Sequence, residues 1–174
     1  MSNMKKYLIT AMTLGIIAMS AGALIGATNL ITKDSIAKNE QEKINKSFRT
    51  IFDDDNAYSS KDEDCEIETV KHIYYISALD TPIGYALRTT DSNSYGKISL
   101  IVGFDKAGTF KDIYVITNEQ TSTDLQDFYI AEINKNHSYI DVSVSCGATF
   151  GAKTTRGMID DAKQVVDSLV EKDK

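Results

Sequence analysis

Small and hydroxylated side chains crowd one stretch of the chain, Ser145-Cys146-Gly147-Ala148-Thr149-Phe150-Gly151-Ala152-Lys153. A loop of this kind ahead of a helix lets backbone amides approach a phosphate closely, and the helix start adds a favourable dipole. The same composition suits an ordinary strand-to-helix turn in which glycine supplies the tightness, so the residues alone leave both readings open. Other chemistry finds less support. Ser145, Thr149 and Thr154 have no histidine near them in sequence, which leaves a hydrolase triad without a base. Cys65 and Cys146 form no CxxC pair, and His72 and His137 stand far apart, a poor ligand inventory for a metal. Asp91-Ser92-Asn93-Ser94-Tyr95-Gly96 begins like a calcium loop, but the acid that should close it would fall at Val102. A polar turn is the better reading there.

A chain of 174 residues has room for one domain with a real core and one further segment. Its net charge of −6 and the absence of a basic stripe argue against nucleic acid, whose phosphates need cations. Residues 7–31 carry no charged side chain. That is about 25 residues, enough at ~1.5 Å each to cross a bilayer core of ~30 Å. Lys5 and Lys6 precede the run, which by the positive-inside bias places residues 1–6 in the cytoplasm and 32–174 outside it. A cleaved signal peptide is the rival reading; the run continues well past Ala21-Gly22-Ala23, which favours a retained helix. No cysteine lies there to carry a lipid. Ala18, Gly22 and Gly26 recur at every fourth position, a stripe that would let another helix approach closely or that simply belongs to a Gly- and Ala-rich anchor.

Beyond the anchor, Ile36, Ala37, Ile44, Phe48 and Ile51 fall at helical spacing and predict a stalk helix over about 33–52, stopped by Asp53-Asp54-Asp55-Asn56. Residues 66–78, 83–89, 98–104 and 110–117 read as strands, the last two joined by Asp105-Lys106-Ala107-Gly108 as a hairpin turn. Residues 125–133 read as a helix. A closing helix over 154–170 would bury Met158, Ile159, Ala162, Val165, Val166 and Leu169. The expected fold is α+β, an antiparallel sheet with packed helices, preceded by one transmembrane helix.

Gly147-Ala148-Thr149, followed by an aromatic residue, Gly and a small residue, resembles the flavin-attachment motif of the Rnf electron-transport G subunit. That family is also called the FMN-binding domain family and is related to the C subunit of the sodium-pumping NADH:quinone reductase. Gly84-Tyr85-Ala86, Tyr95-Gly96-Lys97-Ile98, Val102-Gly103-Phe104-Asp105 and Gly108 repeat the family's order. Asn118-Glu119-Gln120-Thr121-Ser122-Thr123-Asp124-Leu125 occupies the place of a His-x-Glu-Thr-Pro-Gly-Leu-Gly segment, keeping Glu119 and Thr121 while Asn118 replaces the His. Cys146 stands where Ser or Thr is usual, and Ser143 where an Asp is common.

The resemblance implies FMN joined by a phosphodiester to the hydroxyl of Thr149, attached by a flavin transferase. It places Cys146, Gly147, Ala148, Glu119, Thr121 and Tyr95 around the cofactor. Thr121 would offer the ring a hydroxyl, and the Glu119 carboxylate would discourage an anionic reduced flavin. A tether makes sense outside the cytoplasm, where dissociated flavin would be diluted away. The implied role is an electron-carrying redox subunit among the other membrane subunits of an ion-translocating Rnf-type complex, with no catalytic triad of its own. A stand-alone surface flavoprotein for extracellular electron transfer is an alternative. An anchored, non-redox binding module that lost its flavin is another. An external location would permit a disulfide between Cys65 and Cys146, but their separation in sequence gives no geometric warrant for one.

Overall fold

The computed structural model describes residues 3–65, 67–121, 123–143 and 149–172. Its first element, α1 (Asn3–Phe52), runs through two compact units that divide between Gln41 and Glu42. In the first unit, Lys5–Thr28 has a mean hydropathy of 2.1, and none of it is buried against the rest of the chain. By length and composition it can cross a membrane. Its hydroxyls suit an apolar surrounding, because Thr10, Thr13, Ser20 and Thr28 each donate to the carbonyl four residues back. No side-chain donor among these is left for lipid to meet.

The second unit begins within α1 because the helix turns amphipathic there. Ile44, Phe48, Ile51 and Phe52 are buried at helical spacing. The helix stops at Asp53, whose φ of 51° is left-handed, and Asp54 Oδ1 accepts from the Asn56 amide at 2.8 Å. Five strands follow in a meander: β1 (Ala57–Asp64), β2 (Val70–Ala78), β3 (Thr81–Asn93), β4 (Gly96–Asp105) and β5 (Phe110–Asn118). Every strand is antiparallel to its sequence neighbour, in the order β1-β2-β3-β4-β5. Then come α2 (Thr123–Asn136) and α3 (Thr149–Lys172). The α+β architecture matches the expectation.

The sheet is the middle of three layers, and β4 shows why. Ile98, Leu100, Val102 and Phe104 alternate onto one face and join Tyr129, Ile133, Met158, Ile159 and Val166 of α2 and α3. Ile101 points the other way, into a second core with Ile44, Phe48, Ile51 and Phe52. A strand buried on both faces reads as a continuous apolar run, as this one does. Small residues admit the end of α1. A Cβ on Gly103 would lie 2.1 Å from Ile51 Cγ2, and one on Gly84 would lie 2.8 Å from the Phe52 ring. Fully burying a side chain such as Phe48 contributes about 1.5–3 kcal/mol, so within the second unit this short helical segment is held firmly on the sheet.

Several boundaries differ from those read in the sequence. β1 was not expected at all. Its sequence AYSSKDED is polar because it is an edge strand with few inward positions. β2 starts at Val70 rather than 66, and β3 runs on to Asn93 rather than ending at 89. The β2–β3 turn is Leu79-Asp80, both left-handed, as a two-residue hairpin requires. α3 begins five residues before the expected 154, at Thr149. The other edge strand, β5, has three of its backbone groups met by side chains. The Asn134 side-chain amide accepts from the Ile113 N–H at 2.9 Å and donates to the Ile113 carbonyl at 2.8 Å. Lys43 Nζ donates to the Ile116 carbonyl.

Candidate functional site

Three pieces of chain meet at one end of the sheet: the tip of the β3–β4 hairpin, the segment after β5, and the first turn of α3. The hairpin tip is fixed by its own side chains. Asn93 Oδ1 accepts from the Tyr95 N–H at 2.8 Å. Gly96 has a φ of 137°, and a Cβ there would lie 2.2 Å from the Glu119 carbonyl oxygen, so only glycine fits. The segment after β5 then grips the tip. The amide and the hydroxyl of Thr121 both donate to the Tyr95 carbonyl, at 3.0 and 3.1 Å. The Glu119 N–H donates to the Lys97 carbonyl, and the buried Gln120 donates from Nε2 to the Gly96 carbonyl.

The first two turns of α3 are tied in from two sides. Asn93 Nδ2 donates to Thr154 Oγ1 at 3.0 Å. From α2, Gln126 donates through Nε2 to Thr155 Oγ1 at 3.0 Å and to the Gly151 carbonyl at 3.4 Å. The Gln126 amide lies flat on Gly151, where a Cβ would come within 3.1 Å of it. Gln126 is 1% exposed, and its Oε1 has no hydrogen-bond partner among the described residues.

Thr149 is the first residue of α3 and half-buried. Phe150 beside it is exposed, and its ring lies 5.6 Å from that of Tyr95 with the planes inclined by 41°. The first turn of α3 holds no acidic side chain, while Lys153 is there and exposed. The opening N–H groups, which have no partner within the helix itself, the helix dipole and a lysine all favour a negative group at Thr149. A phosphodiester at that hydroxyl therefore fits the residues present.

Of the expected site residues, the structure brings Tyr95 and Thr121 into direct hydrogen-bond contact and sets Tyr95 against the neighbour of Thr149. Cys146, Gly147 and Ala148 lie outside the described residues. Glu119 contributes its backbone, while its carboxylate is exposed, where water and salt screen it. Asn93, Gln120, Gln126 and Phe150 were not singled out from the sequence. A signal did exist for Gln126, which shares the inward spacing of Tyr129, Ile130 and Ile133 on α2. A polar residue at such a position needs a specific partner. Beside these elements an open groove of about 470 Å³ runs along β5 and α2, lined by Tyr114, Val115, Asn118, Thr123, Asp127, Ile130 and Ala131. Asn118 and Asp127 bond across it at 3.3 Å.

One family match falls on α1. Residues 1–51 match the family described as the RnfG N-terminal region. The match supports an RnfG-type subunit, and with it a place in an Rnf-type complex alongside other subunits. It covers the apolar helix and the turns that dock on the sheet, and it stops short of the sheet itself. No curated protein matched the chain.

Proposed function

We propose that this RnfG-type chain is a membrane-anchored electron carrier with FMN joined through a phosphodiester to Thr149. The observation that carries the reading is the position of Thr149. It is the first residue of a 24-residue helix whose opening turn has no acid, braced by Asn93 on one side and Gln126 on the other. The match of residues 1–51 supports the anchoring half of the reading. Bound FMN would supply the redox chemistry. The chain's own part is to present the hydroxyl, neutralise the phosphodiester and hold the attachment point still. Thr149 and the α3 N–H groups face the phosphate, Lys153 adds a cation, and the braces limit movement of the first turn. The other membrane subunits of the complex would be donor and acceptor, and a flavin transferase would make the attachment. In this reading the domain lies on the extracytoplasmic side, with Lys5 and Lys6 inside.

Intact mass of the full-length protein, produced with and without a flavin transferase, tests this directly. The expected result is a gain of one FMN less one water, with flavin emission that survives denaturation. Thr149→Val should lose both. Emission from a Thr149→Val band in a denaturing gel would place the flavin elsewhere.

A further inference from the structure

Tyr95 and Phe150 are 49% and 63% exposed, yet they touch each other. Single exposed aromatics are ordinary, but two in contact on a braced surface form a patch with its own purpose. We propose that this pair is a shelf on which the isoalloxazine ring of the tethered flavin lies, outside the fold and open to an electron-transfer partner. The proposal rests on attachment at Thr149 and adds where the ring goes.

Three features favour this occupant. The first is reach. Phe150 follows Thr149 directly, and side chains on an opening helical turn lean toward the helix N-terminus. A ribityl chain leaving a phosphodiester on Thr149 therefore starts beside the shelf. The second is preorganisation. The Tyr95 peptide is held at both ends, its N–H by Asn93 and its carbonyl by the amide and hydroxyl of Thr121. Gln120 secures the next carbonyl, that of Gly96. A rigid hairpin tip presents its ring with little further entropy to lose on contact. The third is geometry. At 41° the two rings form an open V rather than a closed stack, so aromatic faces remain for a planar third ring. The groove between β5 and α2 is the competing location. Its lining is largely aliphatic and polar, with one tyrosine, and a hydrogen bond between Asn118 and Asp127 crosses it.

Tyrosine in stacking contact quenches flavin emission by electron transfer to the excited ring, so fluorescence reads the contact. The full-length protein carrying its covalent FMN, in detergent, is compared before and after denaturation, with occupancy fixed by intact mass. The native protein should emit several-fold less than the denatured one. Tyr95→Leu with Phe150→Leu should raise the native-to-denatured emission ratio of whatever flavin is attached several-fold, while Tyr95→Trp keeps the quenching and shows that the hairpin tip still folds. Because both rings are largely exposed, these changes spare the core. A native-to-denatured ratio unmoved in the double variant would overturn the shelf. So would a spectral change caused by Ala131→Trp, which fills the groove, with none from the shelf variants. Absence of FMN mass from the unmutated protein would instead remove the attachment itself, and the shelf with it.

Discussion

Asn93 donates a hydrogen bond from its side-chain amide to the Thr154 hydroxyl at 3.0 Å, joining the end of β3 to the second turn of α3 across 61 residues of sequence. The same side chain accepts from the Tyr95 amide. One residue thus sets both the hairpin tip and the helix that presents Thr149. Such a pair should be worth about 0.5–1.5 kcal/mol. Asn93→Ala and Thr154→Ala, singly and together, form a double-mutant cycle in urea. The coupling energy should fall in that range; strictly additive losses would show that the bond does not hold in solution.

Gly103 should resist enlargement. A Cβ there meets Ile51 Cγ2 at 2.1 Å, so Gly103→Ala must lift the end of α1 off the sheet, at a cost of about 1–3 kcal/mol. In an Ile51→Ala background Gly103→Ala should be nearly free, because the clashing methyl is gone. A thermal melt in which Gly103→Ala costs the same with or without Ile51 would contradict the packing.

Alkali should loosen the domain through Tyr139. Burial, with the neighbouring Asp160 carboxylate, pushes its pKa up from 10.0 to about 12. The folded state therefore holds this proton more tightly than the unfolded chain. The stabilisation is complete below pH 10 and is lost as pH rises toward 12. Ultraviolet titration should show Tyr139 among the buried tyrosines that ionise after the exposed ones. Tyr139→Phe should reduce that late step by one tyrosine and flatten the fall in stability between pH 10 and 12. A profile unchanged by the substitution would assign the late step to another tyrosine.

Partner contact in the membrane is testable on Gly22 and Gly26. Apart from the adjoining backbone of its own helix, neither has an atom of the described residues within 4 Å of where a Cβ would stand. If a neighbouring subunit uses that space, replacing both with Leu should reduce co-purification with the other membrane subunits and leave attachment at Thr149 intact. Undiminished co-purification would make the segment a tether alone.

The strongly patterned parts of this fold were legible. β4 and β5 announced themselves through apolar runs around Asp105–Gly108, where Gly108 does take a φ of 81°. α3 showed a clean buried stripe from Met158 to Val166. β1 was hidden because an edge strand needs little apolar surface, and Ser59, Lys61 and Asp62 look like loop. The opening turn of α3 was hidden too. Thr149-Phe150-Gly151 has poor helix propensity, and what makes it helical is the amide of Gln126, far away in sequence, bonded to Gly151 and Thr155. For the site, Thr149, Tyr95 and Thr121 were named from a motif and its order. The contacts that bind Tyr95 to Thr121 and to Phe150 depend on hairpin register, which residue types alone do not disclose.

The meander has a consequence for how the protein is made. Since each strand pairs with the one synthesised just before it, an emerging chain can add strands one at a time, closing only short loops as it goes. The centre of the sheet nevertheless stays bare on one face until the last helix arrives, because α3 covers β2, β3 and β4. Thr149 opens that helix, and its bonds to Asn93 and Gln126 come into being only when the helix docks. If Thr149 is the attachment point proposed above, a chain whose α3 has not docked offers a modifying enzyme a loose threonine, while a docked helix offers it a fixed target, and attachment would then favour folded chains.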